Sequence, residues 1–200
     1  MIVGVIGKKR SGKDTIANYL VQYYNFQRYA FADPMKVMVK EAFLWNEVWV
    51  NGKYKEAVDP RWGISPRQAL KHIGTEWAQY GLCESYPEFK EVTDRNLWVK
   101  RFIYFYMACK GYNYADQKNF VISDVRFPHE IKTIKESRDL NNDKKVFIKV
   151  VRPESEKVTD THESEKLVDT LLYDYIVQNH GTLQHLQNQI TSILIKEHIV

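Results

Sequence analysis

The sequence predicts an α/β fold of three layers, helices on both faces of a mainly parallel sheet of five strands. Several short, β-branched apolar runs are continuous rather than alternating, as expected of strands buried on both faces. The first of them passes through a glycine turn into a helical pattern, the opening of a βαβ unit. Strand-like and helix-like segments then alternate along most of the chain, which implies right-handed crossovers and parallel pairing.

Ile2 to Ile6 is the first strand, ending at Gly7. A helix follows from about Gly12 to Tyr23, where Ile16, Tyr19, Leu20 and Tyr23 recur at helical spacing. Gln27 to Phe31 reads as a second strand and Pro34 to Phe43 as a helix, with Asp33 placed to cap it. Val48 to Val50 and Tyr54 flank Asn51-Gly52, a two-residue hairpin signal, so a small β-hairpin arm is expected at about 45–56. Ser65-Pro66-Arg67-Gln68 combines a serine cap, proline at the first helical position and glutamine where a capping box needs it. That helix is expected to run to Tyr80 and stop at Gly81, and another from Asn96 to Lys110 to stop at Gly111. The region 65–110 is therefore helical. Phe120 to Ser123 is a buried strand ending in Asp124, followed by a helix at about 129–139 and a strand from Val146 to Val151 that ends in Arg152-Pro153. The polar, charged stretch of about 153–170 has the composition of a lid. Asp174 to Val177 and Thr182 to Glu197 supply the last strand and helix.

With 200 residues, 44% hydrophobic and 27% charged, the chain is expected to be one domain, 1–200, with one sizeable core. A disulfide mini-protein and a disordered tail are excluded. Cys83 and Cys109 stand far apart, in no metal-binding spacing. The apolar start runs straight into Lys8, Lys9 and Arg10, the reverse of a signal peptide, and no stretch approaches the ~20 apolar residues of a membrane span. A soluble, cytoplasmic protein is the expectation. Its net charge of +4 suits an anionic small molecule as well as a nucleic acid and does not choose between them.

The sharpest motif is Gly7-Lys8-Lys9-Arg10-Ser11-Gly12-Lys13-Asp14-Thr15, which fits the phosphate-loop pattern through its lysine and lies between a strand and a helix. Gly7 and Gly12 let the backbone curl so that successive amides face phosphate oxygens, and the positive end of the helix adds to that field. Lys9, Arg10 and Ser11 belong to the same cradle, and Lys13 is placed to neutralise the β- and γ-phosphates of a nucleotide. Asp14 stands where the pattern has Ser or Thr on magnesium. Thr15, one step later, can donate to an α-phosphate oxygen, and Asp14 can hold a magnesium-bound water. The alternative is a basic turn before a surface helix.

Phe120 to Glu130 holds a second motif. Asp124 closes a buried strand at the edge where open α/β folds bind ligands, so it can orient magnesium through water, and Arg126 can grip a phosphate bidentately. A capping Asp124 paired with Arg126 is the structural alternative. Arg152, also at a strand end, can stabilise charge on a transferring phosphoryl group or lie exposed.

These motifs, with Ala32-Asp33-Pro34-Met35-Lys36, Gly74-Thr75-Glu76-Trp77, Leu97-Trp98-Val99, Val151-Arg152-Pro153, His162-Glu163-Ser164-Glu165 and Asn179-His180-Gly181, resemble the deoxynucleoside monophosphate kinases of bacteriophages and large DNA viruses over nearly the whole chain. The resemblance implies a P-loop kinase fold, ATP as donor, magnesium, a deoxynucleoside monophosphate (dNMP) as acceptor and a homodimer. No stable nucleic-acid or membrane partner is expected. It assigns acceptor binding to Asp33, Lys36, Arg67, Trp77 and Arg126, the last shared with catalysis by Lys13, Asp124 and Arg152. Asn179 and Gly181 would lie near the adenine of ATP. Asp33 and Lys36 also read as a helix start with a solvated lysine, Trp77 as a core residue, and His162 as solvated. The loop and the Asn-His-Gly segment are also similar to animal-type phosphomevalonate kinase, the nearest alternative. An ATPase or nucleotide-binding regulator acting on DNA is the alternative from a different class.

Overall fold

The computed structural model describes residues 1–111, 119–153 and 166–199; most of the expected lid, with His162, lies outside them. In chain order the elements are β1 (Ile2–Ile6), α1 (Lys13–Tyr24), β2 (Phe26–Tyr29), α2 (Ala32–Phe43), α3 (Glu47–Val50) and α4 (Pro66–Lys71). A π-helical stretch, His72–Gly81, leads into α5 (Leu82–Ser85), α6 (Pro87–Val92) and α7 (Leu97–Gly111). Then come β3 (Asn119–Val125), α8 (Pro128–Glu136), β4 (Lys145–Val151), β5 (Tyr175–Gln178) and α9 (Leu183–Lys196). Where the sequence reads as one domain, packing divides the chain into two compact units: Met1–Ala30 with Phe102–Val200, and Phe31–Arg101.

The first unit holds the sheet, in the order β2-β3-β1-β4-β5 with all four pairings parallel, as expected. Ile2 of β1 aligns with Phe120 on one side and Lys145 on the other, so β1 is central and all five of its residues are buried. On one face Val3, Val5 and Ile148 pack with Ile16 and Leu20 of α1 and with Leu186, Ile190 and Leu194 of α9. Each such aliphatic side chain contributes roughly 1.5–3 kcal/mol by leaving water. On the other face Phe102 and Tyr106 of α7 meet Phe120 at 6.1 and 5.1 Å, and Lys135 of α8 lies over Phe147. A Cβ on Gly4 would sit 2.5 Å from the Phe147 ring, so the central strand carries no side chain there. Parallel pairing places the carboxyl ends of the strands on one edge, where the turns after β1, β3, β4 and β5 emerge.

The second unit is helical, with Val39, Trp45, Val50 and Ala69 at its core. Three sequence expectations fail in it. The Asn51-Gly52 hairpin arm is not formed: Asn46 caps α3, its side-chain oxygen accepting from Val48 N at 3.1 Å and Trp49 N at 3.3 Å. The amides of Asn51 and Gly52 both return to Glu47 O, at 2.9 and 3.1 Å. Burial of Val50 against Val39 and Trp45 overrides the turn signal, and a Cβ on Gly52 would stand 2.6 Å from Val48 O, so the glycine serves this tight helical end. Gly81 does not stop its helix either. It is right-handed helical, with φ −59°, and the chain leaves the helix only at Tyr86, in extended conformation before Pro87. Asp33 is not the cap of α2: Phe31 occupies that position, and Asp33 pairs with Lys36 within the first turn. The capping box at Ser65 and Gln68 forms as expected.

Asp59 organises the loop between α3 and α4. Its buried carboxylate accepts from Trp45 Nε1 at 2.7 Å, from the Arg61 guanidinium at 2.7–3.2 Å and from Arg61 N at 3.0 Å. The Arg61 hydrogen bonds outweigh desolvation and hold the Asp59 carboxyl far below the usual carboxylate range. A depressed folded-state pKa stabilises the fold above pH ~4, and that contribution fades as pH falls below it. Asp59→Asn is expected to lower the melting temperature by about 5 °C at pH 7. The gap between the melting temperatures of the two proteins should narrow steadily as pH falls from about 4 to about 2.5.

Candidate active site

The turn after β1 is built by two close approaches. A Cβ on Gly7 would lie 2.5 Å from Ser11 Oγ and 2.8 Å from Val150 O, so β4 and the loop pass where only glycine fits. Gly12 has φ +106°, and a Cβ there would stand 2.4 Å from Asn179 Nδ2. Between the glycines Arg10 also takes a left-handed conformation, φ 68°, which turns the chain back so that Ser11 N reaches Lys8 O at 3.1 Å. Lys13, at the start of α1, is buried and donates from Nζ to Gly7 O at 2.6 Å and Lys8 O at 2.7 Å. The ammonium thus stands inside the curl it would need to occupy to meet phosphate oxygens. Ser11 Oγ is buried with no hydrogen-bond partner among the described residues.

Neighbouring strand ends converge on this loop. Asn179, after β5, donates from Nδ2 to Ser11 O at 2.8 Å. Thr15, Arg152, Asn179, His180, Gly181, Leu183 and Leu186 line a cavity of about 290 Å³. Five of the sequence-derived positions (Ser11, Thr15, Arg152, Asn179 and Gly181) are therefore brought together from the turns after β1, β4 and β5 and the first turn of α1. Lys8 forms an ion pair with Asp169 at 3.0 Å, and Lys149 of β4 reaches the same carboxylate at 3.3 Å. Burial opposes ionisation of Asp169, but the hydrogen bonds from Lys8 and Lys149 prevail and hold its carboxyl below the ordinary range. Lys9 is half-buried and Arg10 exposed.

Asp124 and Arg126 are half-buried at the end of β3. Glu130 of α8 fixes the backbone beside them: it is buried, and its Oε2 accepts from Arg126 N at 2.7 Å and Phe127 N at 3.0 Å. Burial pushes the Glu130 carboxyl up to about 8 against the pull of those two amides. Asp14 is exposed and paired with Arg28 of β2, which also donates from Nε to Ser123 Oγ at 3.2 Å. Sequence reasoning passed over Arg28, Glu130 and Asp169. Glu130 at least carried a signal, an acidic residue three positions after Phe127 where a helix start wants one.

The remaining candidates belong to the second unit. Asp33 and Lys36 form an i,i+3 pair at 3.2 Å. Arg67 is half-buried in the first turn of α4, its amide donating to Lys55 O at 3.0 Å. Trp77 is 38% exposed, so it is not the core residue its spacing allowed. Among the described residues no group of three His, Cys, Asp or Glu side chains could by itself hold a metal. Magnesium asks for less, one or two carboxylates with phosphate oxygens and water. Asp14, exposed at the start of α1, and Asp124, half-buried at the end of β3, are oxygen donors of that kind.

The family model for deoxynucleotide monophosphate kinases matches residues 1–59 and 90–190. The chain belongs to this family. A protein of Acanthamoeba polyphaga mimivirus, provisionally named a deoxynucleotide monophosphate kinase, is 34% identical over 196 residues, 96% of this chain and 95% of that protein. The deoxynucleotide monophosphate kinase of Escherichia phage RB69 is 31% identical over 130 residues, covering 64% of this chain and 49% of the phage protein. Among solved structures, shikimate kinase from Aquifex aeolicus aligns over 100% of this chain and 99% of its own, at 12% identity and a TM-score of 0.44. The matched stretches include every residue of the loop from Gly7 to Thr15, and Asp33, Lys36, Asp124, Arg126, Arg152, Asn179 and Gly181; Arg67 and Trp77 fall between them. No described helix is long and apolar enough to cross a membrane.

The contact between Gly12 and Asn179 is testable without any ligand. Gly12→Ala adds a methyl group at positive φ and drives it into the Asn179 amide, and is expected to destabilise the fold by about 1–3 kcal/mol in denaturant unfolding. Asn179→Ala removes that obstacle, so the double variant should be less destabilised than the sum of the two single ones.

Proposed function

We propose that this chain transfers the γ-phosphoryl group of ATP to a dNMP, giving ADP and the deoxynucleoside diphosphate. The observation that carries the reading is the buried Lys13 ammonium held within the Gly7–Gly12 curl of a kinase-family chain. The reaction is an in-line displacement: an oxygen of the acceptor phosphate bonds to the γ-phosphorus as the bond to the β–γ bridging oxygen breaks, and ADP leaves with that electron pair. No general base is required, because the acceptor oxygen is already anionic.

In this mechanism the loop amides and Lys13 hold the donor phosphates. Arg126, half-buried, and Arg152, exposed beside the cavity, offset charge on the transferring group. Thr15, Asn179 and Gly181 border the cavity proposed for the nucleoside end of ATP. Asp14 and Asp124 would hold magnesium, which supplies charge neutralisation at the β- and γ-phosphates when bound. Acceptor binding falls to Asp33, Lys36, Arg67 and Trp77, with Arg126. A homodimer in the cytoplasm completes the proposal.

Lys13→Ala is expected to lower kcat at least 100-fold while circular dichroism shows the chain still folded; near-normal turnover would overturn the mechanism. ADP formation should appear with one or more dNMPs in a coupled assay and be absent with phosphomevalonate. Turnover stimulated only by single-stranded DNA would instead favour a DNA-acting ATPase. Sedimentation velocity is expected to give a species of twice the chain mass.

A further inference from the structure

The residue after the loop lysine is an aspartate, and a carboxylate in the first turn of α1 would repel a polyphosphate bound to the same loop. The chain contains a specific answer to that charge. Arg28, on the edge strand β2, directs Nη2 at Asp14 Oδ1, donates from Nη1 to Asn18 Oδ1 at 3.2 Å and from Nε to Ser123 Oγ at 3.2 Å. Ser123 is itself buried, and its hydroxyl donates to Tyr29 O at 3.5 Å. The guanidinium is therefore anchored by neutral oxygens on two elements, leaving its remaining arm for the carboxylate. With the Arg28 side chain 38% and Asp14 75% exposed, the pair adds little to stability. Its consequence is where charge is placed.

We infer that Arg28 is a positioning residue of the nucleotide-phosphate site, held by Ser123 and Asn18 so that it neutralises the Asp14 carboxylate beside the bound polyphosphate. The inference rests on the reading of Gly7–Thr15 as the nucleotide loop. It follows that the Asp14–Arg28 pair presents no net charge to the ligand. Removing the arginine alone bares a negative charge, and removing both restores neutrality.

The test is calorimetric titration of ADP into the full chain and its variants, in excess magnesium chloride and in EDTA. Arg28→Ala should weaken ADP binding about tenfold in EDTA and less in magnesium, because the cation offsets the bared carboxylate. In EDTA, where no cation is held, Asp14→Asn in the Arg28→Ala background should return the affinity to within about threefold of wild type. Unchanged binding by Arg28→Ala overturns the inference. So does a loss that Asp14→Asn fails to rescue, since a folding defect from the missing arginine persists in the double variant. Lys13→Ala separates the two levels: if it binds ADP as wild type does, the loop reading itself falls. If it loses ADP while Arg28→Ala keeps it, only the role of Arg28 falls.

Discussion

The approach of Asn179 to Gly12 constrains the rest of the site. An amide from the turn after β5 occupies the space a side chain at Gly12 would fill, and hydrogen bonds to the neighbouring Ser11 carbonyl. For that contact to exist, β5 must lie two strands from β1 in a parallel sheet, and α1 and α9 must pack on the same face. The loop is thus shaped from outside by another strand end, as well as from inside by the Lys13 ammonium. Its curl is set before any ligand arrives, which spares the cost of ordering amides around phosphate on binding.

Charge around the loop is balanced locally. Lys8 and Lys149 share Asp169, and Arg28 faces Asp14, so one basic group (Lys8) and one acidic group (Asp14) suggested by sequence are engaged with partners. Lys13 instead donates to the backbone carbonyls of Gly7 and Lys8. A net charge of +4 describes none of this. What bears on function is how neighbours sort the cations near the loop: Lys8 and Arg28 meet carboxylates, and Lys13 donates to backbone carbonyls of the loop.

Much of the first unit was legible because its signals are local. The continuous apolar runs at Ile2–Ile6 and Val146–Val151 and the glycine turn each depend on a few adjacent residues, and the structure keeps them, as it keeps the equally local capping box at Ser65 in the second unit. The hairpin arm failed because Asn51-Gly52 is a preference of about the size of one contact, and burial of Val50 beside Trp45 outweighs it. Gly81 failed as a stop because a glycine may end a helix but does not require it to, and the π-helical stretch continues into α5 until the chain turns extended at Tyr86, before Pro87. Arg28 was invisible for another reason: on a strand, nothing in residue spacing tells which neighbouring element its side chain will meet.

By itself, the sequence determined that this is a parallel α/β protein with a phosphate loop after its first strand, because periodicity, glycine placement and the lysine position are properties of contiguous residues. Only the tertiary structure decided that Asn179 closes on Gly12, that Asp14 is answered by Arg28 and that Glu130 holds the backbone under Arg126. Those contacts join the turn after β5 to that after β1, β2 to α1, and α8 to the end of β3. Their existence depends on strand order and register, which no stretch of the chain encodes alone.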